Sequence, residues 1–191
     1  MSNAEGHAQD LMSLDPAAAD RLILVDGRDQ AIGQASKEAA HREGLLHRAF
    51  SVVLVRSGNG GPELLLAQRA EGKYHSAGLW ANSCCSHPRA GEVLPDAAYR
   101  RVVEELGCEA ADLSELGSFI YRAPFANGLC EYEYDHVLVG ACVGEPNPDP
   151  SEVGGLRWVA ADALACELAE HPERFAAWAY TVLGMALAHL G

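Results

Sequence analysis

The sequence predicts a single α/β sandwich, and three observations favour that class. The length of 191 residues fits one ordinary domain with its own core. Apolar residues make up 49% of the chain and charged residues 21%, which is typical of a globular protein rather than a disordered one. Short strand-like runs alternate with one central and one C-terminal helical pattern, as in folds that pack helices on a sheet.

The first half of the chain predicts three strands. Residues 22–25 (LILV), followed by Asp26-Gly27, indicate a short buried strand that enters a turn. A second strand over 49–55 leads through SGNGGP at 57–62 into a third strand over 63–68. This glycine-rich turn lacks the Lys-Ser/Thr pair of a phosphate-binding loop and opens no helix, so it predicts a hairpin.

A central helix is predicted over residues 94–106. Pro95 lies in its first turn and Gly107 lies just beyond its end, which is the usual placing of these two residue types. Arg101 and Glu105 are four residues apart and share one face. The stripe that we expect in the core consists of Ala98, Val102 and Leu106.

Two further strands and a terminal helix follow. The strand over 131–143 places carboxylates on one side and tyrosines on the other; the carboxylates are Glu131, Glu133 and Asp135. A short strand is predicted over 156–159. We expect Pro172 to open a C-terminal helix that carries one apolar stripe, formed by Phe175, Trp178 and Val182.

The net charge narrows the classes of partner. Asp and Glu (27) outnumber Lys and Arg (14), so the formal net charge is −13. A field of that sign repels nucleic acid and anionic lipid, so we expect neither nucleic acid nor membrane as a partner. An anionic small-molecule substrate would need cations gathered at its site, and the chain has only two lysines, Lys37 and Lys73. The sequence gives no sign of an obligate protein partner.

The N-terminal segment and the cysteines bear on location. No apolar run reaches the roughly 20 residues of a membrane helix, and no basic patch precedes an apolar stretch, so we expect no secretory signal. Six cysteines occur without a Cys-x-x-Cys pair, which favours reduced thiols and a cytoplasmic location. Residues 1–20 are polar and Ala-rich, and we expect a mobile N-terminal lead-in before a domain over 21–191.

Three histidines and two glutamates form a candidate metal site. His41, His47 and His87 lie in three separate segments, and Glu131 and Glu133 share one strand face. Three imidazoles and two carboxylates suit Mn, Mg, Zn or Fe. Eight histidines in 191 residues also scatter by chance, so this pattern alone leaves open whether these side chains are ligands or ordinary surface and core residues.

The segment 82–88 (NSCCSHP) is a second candidate. It places the Cys85 thiol two residues before the His87 imidazole, and Pro88 follows directly. A thiol near a metal-bound imidazole or a cation suits acid–base or nucleophilic chemistry. A loop of small residues that packs under the hairpin explains the same segment equally well.

Four segments in order carry a family resemblance: GLLHRAFS at 44–51, WANSCCSHP at 80–88, RRVVEELG at 100–107 and EYE at 131–133. Together they resemble type 1 isopentenyl-diphosphate Δ-isomerases of the Nudix superfamily, over about Leu22 to Trp178. The resemblance implies a Nudix-type α/β/α sandwich with a mixed sheet. It also implies interconversion of isopentenyl and dimethylallyl diphosphate through a tertiary carbocation, for isoprenoid biosynthesis.

The resemblance assigns roles residue by residue. It implies that a divalent metal (Mn²⁺, Zn²⁺ or Mg²⁺) binds His41, His47, His87, Glu131 and Glu133. It implies that the catalytic residues are Cys85, Glu133, Tyr121 and Trp178. Cys85 rather than Cys84 matches, because the family places its cysteine two residues before the metal-binding histidine. It implies that the diphosphate is bound by Lys37, Arg69, Lys73 and Arg101. It also implies that Glu105 holds a Mg²⁺ ion brought by the substrate.

The Nudix hydrolases, which the chain also resembles, carry the motif Gly-x5-Glu-x7-Arg-Glu-φ-x-Glu-Glu-x-Gly, in which φ is an apolar residue. One departure from this motif separates the chain from them. Aligned on Gly107, Arg101 stands where that motif has a metal-binding glutamate. A guanidinium cannot bind a metal ion but suits a phosphate. A diphosphate hydrolase is therefore the second hypothesis, and a non-catalytic metal-binding or scaffold module is the third.

Overall fold

The structure, a computed structural model, describes residues 21–191; the expected lead-in over 1–20 lies outside the described residues. The strands are β1 (Arg21–Val25), β2 (Ala31–Ser36), β3 (His47–Gly58), β4 (Gly61–Arg69), β5 (Trp80–Ala81), β6 (Cys84–Ser86), β7 (Glu109–Pro124), β8 (Cys130–Val143) and β9 (Val153–Ala160). The helices are α1 (Lys37–Glu43), α2 (Leu94–Leu106), α3 (Ala161–Glu170) and α4 (Ala179–Leu190).

Strand β3 is the centre of a mixed sheet. One edge of β3 pairs in parallel with β8 from His47 to Val55. The other edge pairs antiparallel with β1, then β6, then β4. The hairpin predicted between the second and third strands is confirmed, because β3 and β4 meet at Gly58 and Gly61. This pairing brings β6 and β8 to opposite edges of β3, so that their side chains meet over one face.

Helices cover both faces of the sheet, which confirms the α/β/α sandwich. The alternation of side chains along β3 sends Val53 to one face and Val52 and Leu54 to the other. The face of Val53 packs against α3 and α4, and the face of Val52 packs against α2. All six cysteines are free thiols, and among residues 21–191 no helix is long and apolar enough to cross a membrane.

Helix α2 has the bounds that the sequence predicts. Its stripe of Ala98, Val102 and Leu106 is fully buried. The helix ends because Gly107 adopts φ 62°, a left-handed conformation that glycine reaches without strain. Its N–H bonds the Val103 carbonyl, which closes the last turn.

Helix α1 is absent from the prediction. Its seven residues are too few for a clear period, so its ends define it. The Ser36 hydroxyl accepts a hydrogen bond from the Ala39 N–H, and Gly44 ends the helix at φ 63°. The helix carries Lys37 at its start and His41 in its last turn. Because β3 begins at His47, a short turn and not a long loop separates His41 from His47.

The predicted start of the C-terminal helix at Pro172 is wrong. Pro172–Arg174 form one 3₁₀ turn, and α4 begins only at Ala179. Between them Phe175 is extended and bridges to Trp80, and the Ala176 N–H bonds the Trp80 carbonyl. The predicted helical stripe of Phe175, Trp178 and Val182 therefore does not exist, although all three side chains are buried in one core cluster.

Candidate active site

One cavity gathers nearly all the predicted site residues. Its walls come from α1, α2, the segment after β4, β6, the adjoining ends of β7 and β8, and Trp178 just before α4. The predicted site residues that line it are Lys37, Arg69, Lys73, Cys85, His87, Arg101, Glu105, Tyr121, Glu131, Glu133 and Trp178. The two others, His41 and His47, are buried directly behind it.

Four residues form a compact group that fits a metal ion. Ligand atoms of His41, His47, His87 and Glu133 all lie within 4.8 Å of one another. The Nε2 atoms of His41 and His47 are buried and have no hydrogen-bond partner among residues 21–191. Buried polar atoms are normally bonded, so these two nitrogens suit the role of metal ligands. Glu131 lies beside this group but is not a member of it.

Burial keeps the imidazoles of His41 and His87 neutral at physiological pH. Burial lowers the pKa of His41 to about 3, and the neighbouring imidazoles of His87 and His47 contribute to that shift. Burial also lowers the pKa of His87 to about 4, despite the hydrogen bond with Glu133. A neutral imidazole has the free lone pair that a metal ligand requires.

The Cys85 thiol and the Glu133 carboxylate face the same cavity. The Trp178 Nε1–H donates to Cys85 Sγ at 3.1 Å, and the Asn82 Oδ1 accepts from the thiol at 3.1 Å. Across the cavity, the Tyr121 hydroxyl donates to Glu133 Oε2 at 2.7 Å. The thiol is thus bonded as a proton donor and the carboxylate as a proton acceptor.

The two adjacent cysteines point to opposite faces of the sheet. Cys84 is buried in the cluster that packs against α2, and Cys85 packs against the cluster that contains Trp178. Burial raises the pKa of the Cys85 thiol, and the Asp135 carboxyl raises it further. Cys85 therefore stays protonated in this setting, and it alone of the two contacts Trp178.

Four cations line the cavity. Both lysines of the chain are there, together with Arg69 and Arg101. Burial and the charge of Lys73 lower the pKa of Lys37, as expected where like charges are gathered. Arg69 donates to the His75 carbonyl at 3.2 Å and lies 5.1 Å from the centre of a Trp178 ring.

Two acidic residues accompany these cations. Glu105 is paired with Arg101 on the same helix face, as the spacing of the two residues predicts. Glu152, which precedes β9, is paired with Lys73 and lies 3.7 Å from Arg101. Sequence reasoning misses Glu152, because only the chain fold brings it to Lys73.

Sequence reasoning also misses His75, to which it assigns no role. Its Nε2 lies 2.8 Å from Glu131 Oε1, and its ring stacks on Phe125 at 4.2 Å between centres. The Tyr121 hydroxyl lies 3.0 Å from the other oxygen of Glu131. His75 therefore belongs to the inner wall of the cavity, and the only signal for it in the sequence is its position two residues after Lys73.

Comparison with known proteins first defines the class. The model of the NUDIX domain matches residues 45–180. A solved protein from Deinococcus radiodurans is 23% identical, with a TM-score of 0.67 over 86% of this chain and 97% of that one. A MutT Nudix hydrolase from Burkholderia pseudomallei is 23% identical, with a TM-score of 0.58 over 73% of this chain and 97% of that one. The fold is therefore that of a Nudix domain.

Curated relatives then define the particular family. An isopentenyl-diphosphate Delta-isomerase of Serratia proteamaculans is 47% identical over 162 residues, which cover 85% of this chain and 88% of that protein. The protein of the same name from Burkholderia multivorans is 46% identical over 167 residues, covering 87% and 93%. The chain belongs to the type 1 isopentenyl-diphosphate Δ-isomerases, within the Nudix superfamily.

Proposed function

We propose that the protein interconverts isopentenyl diphosphate and dimethylallyl diphosphate, with Cys85 and Glu133 as its two proton-handling groups. The observation that carries this proposal is that a bonded thiol and a bonded carboxylate face one cavity that four cations also line. The names of the curated relatives support the same reaction. The substrate is a small prenyl diphosphate.

The cations hold the diphosphate. Lys37, Arg69, Lys73 and Arg101 all line the cavity that Trp178 and Tyr121 also line, and Arg69 lies beside the Trp178 ring. Binding energy from this remote group can be used to desolvate and place the alkene. Glu105 and Arg101 together suit a diphosphate that arrives as its Mg²⁺ complex, with the carboxylate on the metal ion and the guanidinium on phosphate.

The alkene lies between Cys85 and Glu133. Cys85 gives its S–H proton to the terminal methylene carbon, and the π electrons form the new C–H bond. This leaves a tertiary carbocation at the adjacent carbon. Glu133 removes a proton from the methylene carbon next to the diphosphate-bearing carbon, and that C–H electron pair becomes the new double bond. A proton transfer from Glu133 back to Cys85, directly or through water, closes the cycle. Tyr121 orients Glu133 through its 2.7 Å hydrogen bond.

Trp178 stabilises the carbocation. Its ring lines the cavity, and its N–H holds Cys85 Sγ. The face of an indole attracts a cation by about 0.5–2 kcal/mol and offers no lone pair that would trap it. The alternative, that Trp178 is only a core residue, does not explain why its N–H bonds the thiol.

The residues that would hold a divalent cation are His41, His47, His87 and Glu133, with Glu131 beside them. Mn²⁺, Zn²⁺ and Mg²⁺ all suit this donor set. When bound, the metal ion fixes the orientation of the Glu133 carboxylate and tunes its acidity. No protein partner enters the proposal, and the cytoplasmic location stays a prediction.

The test is direct. Purified protein with Mg²⁺ or Mn²⁺ is incubated with isopentenyl diphosphate, and the allylic product is detected by its acid lability. We expect Cys85→Ala to lose at least about 100-fold in kcat, because the thiol is the proton donor. Cys84→Ala is the matched control and should stay within a few-fold of the wild type. Equal activity of wild type and Cys85→Ala would refute the assignment.

The diphosphate hydrolase is less well supported. Arg101 stands at the position of a metal-binding glutamate in the hydrolase motif, and in the structure its guanidinium bonds Glu105 and Glu104. The hydrolase motif requires a metal ligand at this position, but the Arg101 guanidinium is positively charged. Release of phosphate from nucleoside diphosphate derivatives, without isomerase activity, would favour the hydrolase instead. Metal uptake without turnover of either substrate would favour the scaffold module.

A further inference from the structure

Asp135 is a buried carboxyl that the proposed reaction does not use. It lies on β8 two residues beyond Glu133, and only 1% of it is exposed. The Ser51 hydroxyl donates to Asp135 Oδ2 at 2.8 Å. The other oxygen, Oδ1, is buried and has no hydrogen-bond partner among residues 21–191.

Such a residue does not stabilise the fold. A buried carboxyl that lacks a cation and bonds one hydroxyl loses more by leaving water than it recovers. The same face of β8 continues with Val137 and Val139, which pack in the core beyond it. An apolar side chain at position 135 would suit that core better. The carboxyl therefore indicates a role at the site rather than in folding.

The sheet register connects Asp135 to the thiol through Ser51. Ser51 of β3 is paired directly with Cys85 of β6, and β3 runs parallel to β8 on its other edge. Ser51 is 1% exposed and lines the cavity, and its Oγ lies 3.5 Å from Cys85 Sγ. With its hydrogen directed to Asp135, the Ser51 hydroxyl has only lone pairs to offer the thiol, so Ser51 Oγ is an acceptor for the S–H hydrogen beside Asn82 Oδ1.

We infer that Ser51 and Asp135 form a positioning pair for Cys85. Asp135 fixes the rotation of the Ser51 hydroxyl, and the Ser51 oxygen then contacts Sγ as a second acceptor beside Asn82. Together with Asn82 and Trp178, the pair keeps the thiol at one place and in one orientation. This inference rests on the proposed function, in which Cys85 delivers the proton.

The inference predicts a loss in kcat and not in substrate affinity. We expect Ser51→Ala and Asp135→Leu each to lower kcat about 10- to 100-fold, since small misplacements of a catalytic group have effects of this size. KM for isopentenyl diphosphate should stay within about two-fold, because the diphosphate cations are untouched. Asp135→Asn still offers a carbonyl oxygen to the Ser51 hydroxyl, so it should keep most of the wild-type kcat.

The double variant Ser51→Ala/Asp135→Leu tests whether the two residues act through each other. If they do, the double variant is no slower than the slower single variant. Ser118→Ala is the matched control, because the Ser118 hydroxyl bonds Tyr134 on the outer sheet face and its loss should leave kcat unchanged. If Asp135→Leu fails to fold, the comparison of kcat between Ser51→Ala and Asp135→Asn still decides whether the pair positions Cys85.

The solvent deuterium isotope effect on kcat distinguishes positioning from loss of folded protein. A smaller folded fraction lowers kcat and leaves the isotope effect at its wild-type value. A displaced thiol alters the proton-transfer step, so Ser51→Ala should change the isotope effect and Asp135→Asn should not. Wild-type kcat in Ser51→Ala, or a reduced kcat with an unchanged isotope effect, would overturn the inference while leaving the isomerase intact. A wild-type protein that does not isomerise the substrate would overturn both.

Discussion

At the scale of single residues, the site depends on a change of polarity along one sheet face. On β3 and its neighbours β6 and β8, the face begins with potential metal ligands, continues with the thiol and its hydrogen-bond partners, and ends in the core. In that order the side chains are His47, His87 and Glu133, then Cys85, Ser51 and Asp135, then Val53, Val137 and Val139. The thiol and its hydrogen-bond partners therefore lie between the potential metal ligands and the core.

Arg101 provides a prediction at this scale. We expect Arg101→Gln to raise KM for isopentenyl diphosphate about 10- to 100-fold with a smaller effect on kcat, because it removes a charge from the diphosphate end. Arg100→Gln is the matched control, since that guanidinium bonds Glu92 and Glu104 rather than facing the cavity. Steady-state kinetics of the two variants check this. An equal KM in both would mean that Arg101 does not contact the diphosphate.

At the scale of elements, short helices and loops place the side chains that the sheet does not. Helix α1 brings Lys37 and His41 to the cavity, and the segment that follows β4 brings Lys73 and His75. Arg69 holds that segment by its bonds to the His75 carbonyl. Each of these elements is ordered by its ends rather than by a long apolar stripe, so their contribution depends on individual caps and hydrogen bonds.

The end of α2 gives a prediction for stability. We expect Gly107→Ala to lower the free energy of unfolding by more than 1 kcal/mol, since φ is 62° and an added Cβ would overlap the Asn147 carbonyl. Gly184→Ala, within α4 and with open space around it, is the matched control and should be neutral or stabilising by up to about 1 kcal/mol. Urea unfolding measures both. A Gly107→Ala protein as stable as the wild type would contradict this account.

The loop before α2 gives a prediction for pH. Burial tends to raise the pKa of Glu92, but hydrogen bonds from Arg100 and from the Arg89 N–H outweigh it, so the pKa lies below its usual value. A carboxyl with a depressed folded-state pKa adds stability above its unfolded pKa of about 4.5 and loses it as pH falls through the folded value.

We therefore expect Glu92→Gln to lower the free energy of unfolding by about 1 kcal/mol at pH 7 and by less near pH 3, where wild type and variant converge. Urea unfolding at both pH values is the measurement. A difference between wild type and variant that grew as pH fell would contradict the sign. Asp162→Asn, at the exposed start of α3, serves as a control for the loss of a single negative charge.

At the scale of the whole molecule, the charge distribution matches the proposed substrate. The chain carries a net charge of −13, yet both of its lysines line the cavity. A local cluster of cations in an acidic protein attracts an anion to one place and repels it elsewhere. The sandwich makes this possible, because α1, α2 and the segment after β4 converge over the same end of the central strands.

Metal binding should stabilise the whole molecule. We expect Mn²⁺ or Zn²⁺ at 100 times its Kd to raise the free energy of unfolding of metal-free protein by about 2.7 kcal/mol and Tm by about 5–10 °C. His47→Ala should lose this shift, and His136→Ala, whose ring bonds Glu115 and Asp29 away from the cavity, should keep it. Thermal unfolding with and without metal checks this. An undiminished shift in His47→Ala would exclude the four-residue group as the metal site.

A feature can be predicted from the sequence when the residues that determine it are neighbours along the chain. The bounds of α2 could be predicted because Pro95, the buried stripe and Gly107 all lie within fourteen residues. The start of α4 could not, because the Trp80 backbone, nearly a hundred residues away, bridges to the extended Phe175 and bonds the Ala176 N–H. The resemblance indicates thirteen site residues; eleven of them line the cavity and His41 and His47 are buried behind it, although their roles stay predictions.

By itself the sequence determines the sandwich, the helix α2, the hairpin, the carboxylate face of β8 and the family. These follow from periods, caps and motifs that are read within a few residues of each other. Only the tertiary structure decides that Glu152 meets Lys73, that His75 meets Glu131, and that Ser51 joins Asp135 to Cys85. Such contacts join residues that are many positions apart, and they exist because strand register and chain packing bring those polar groups together.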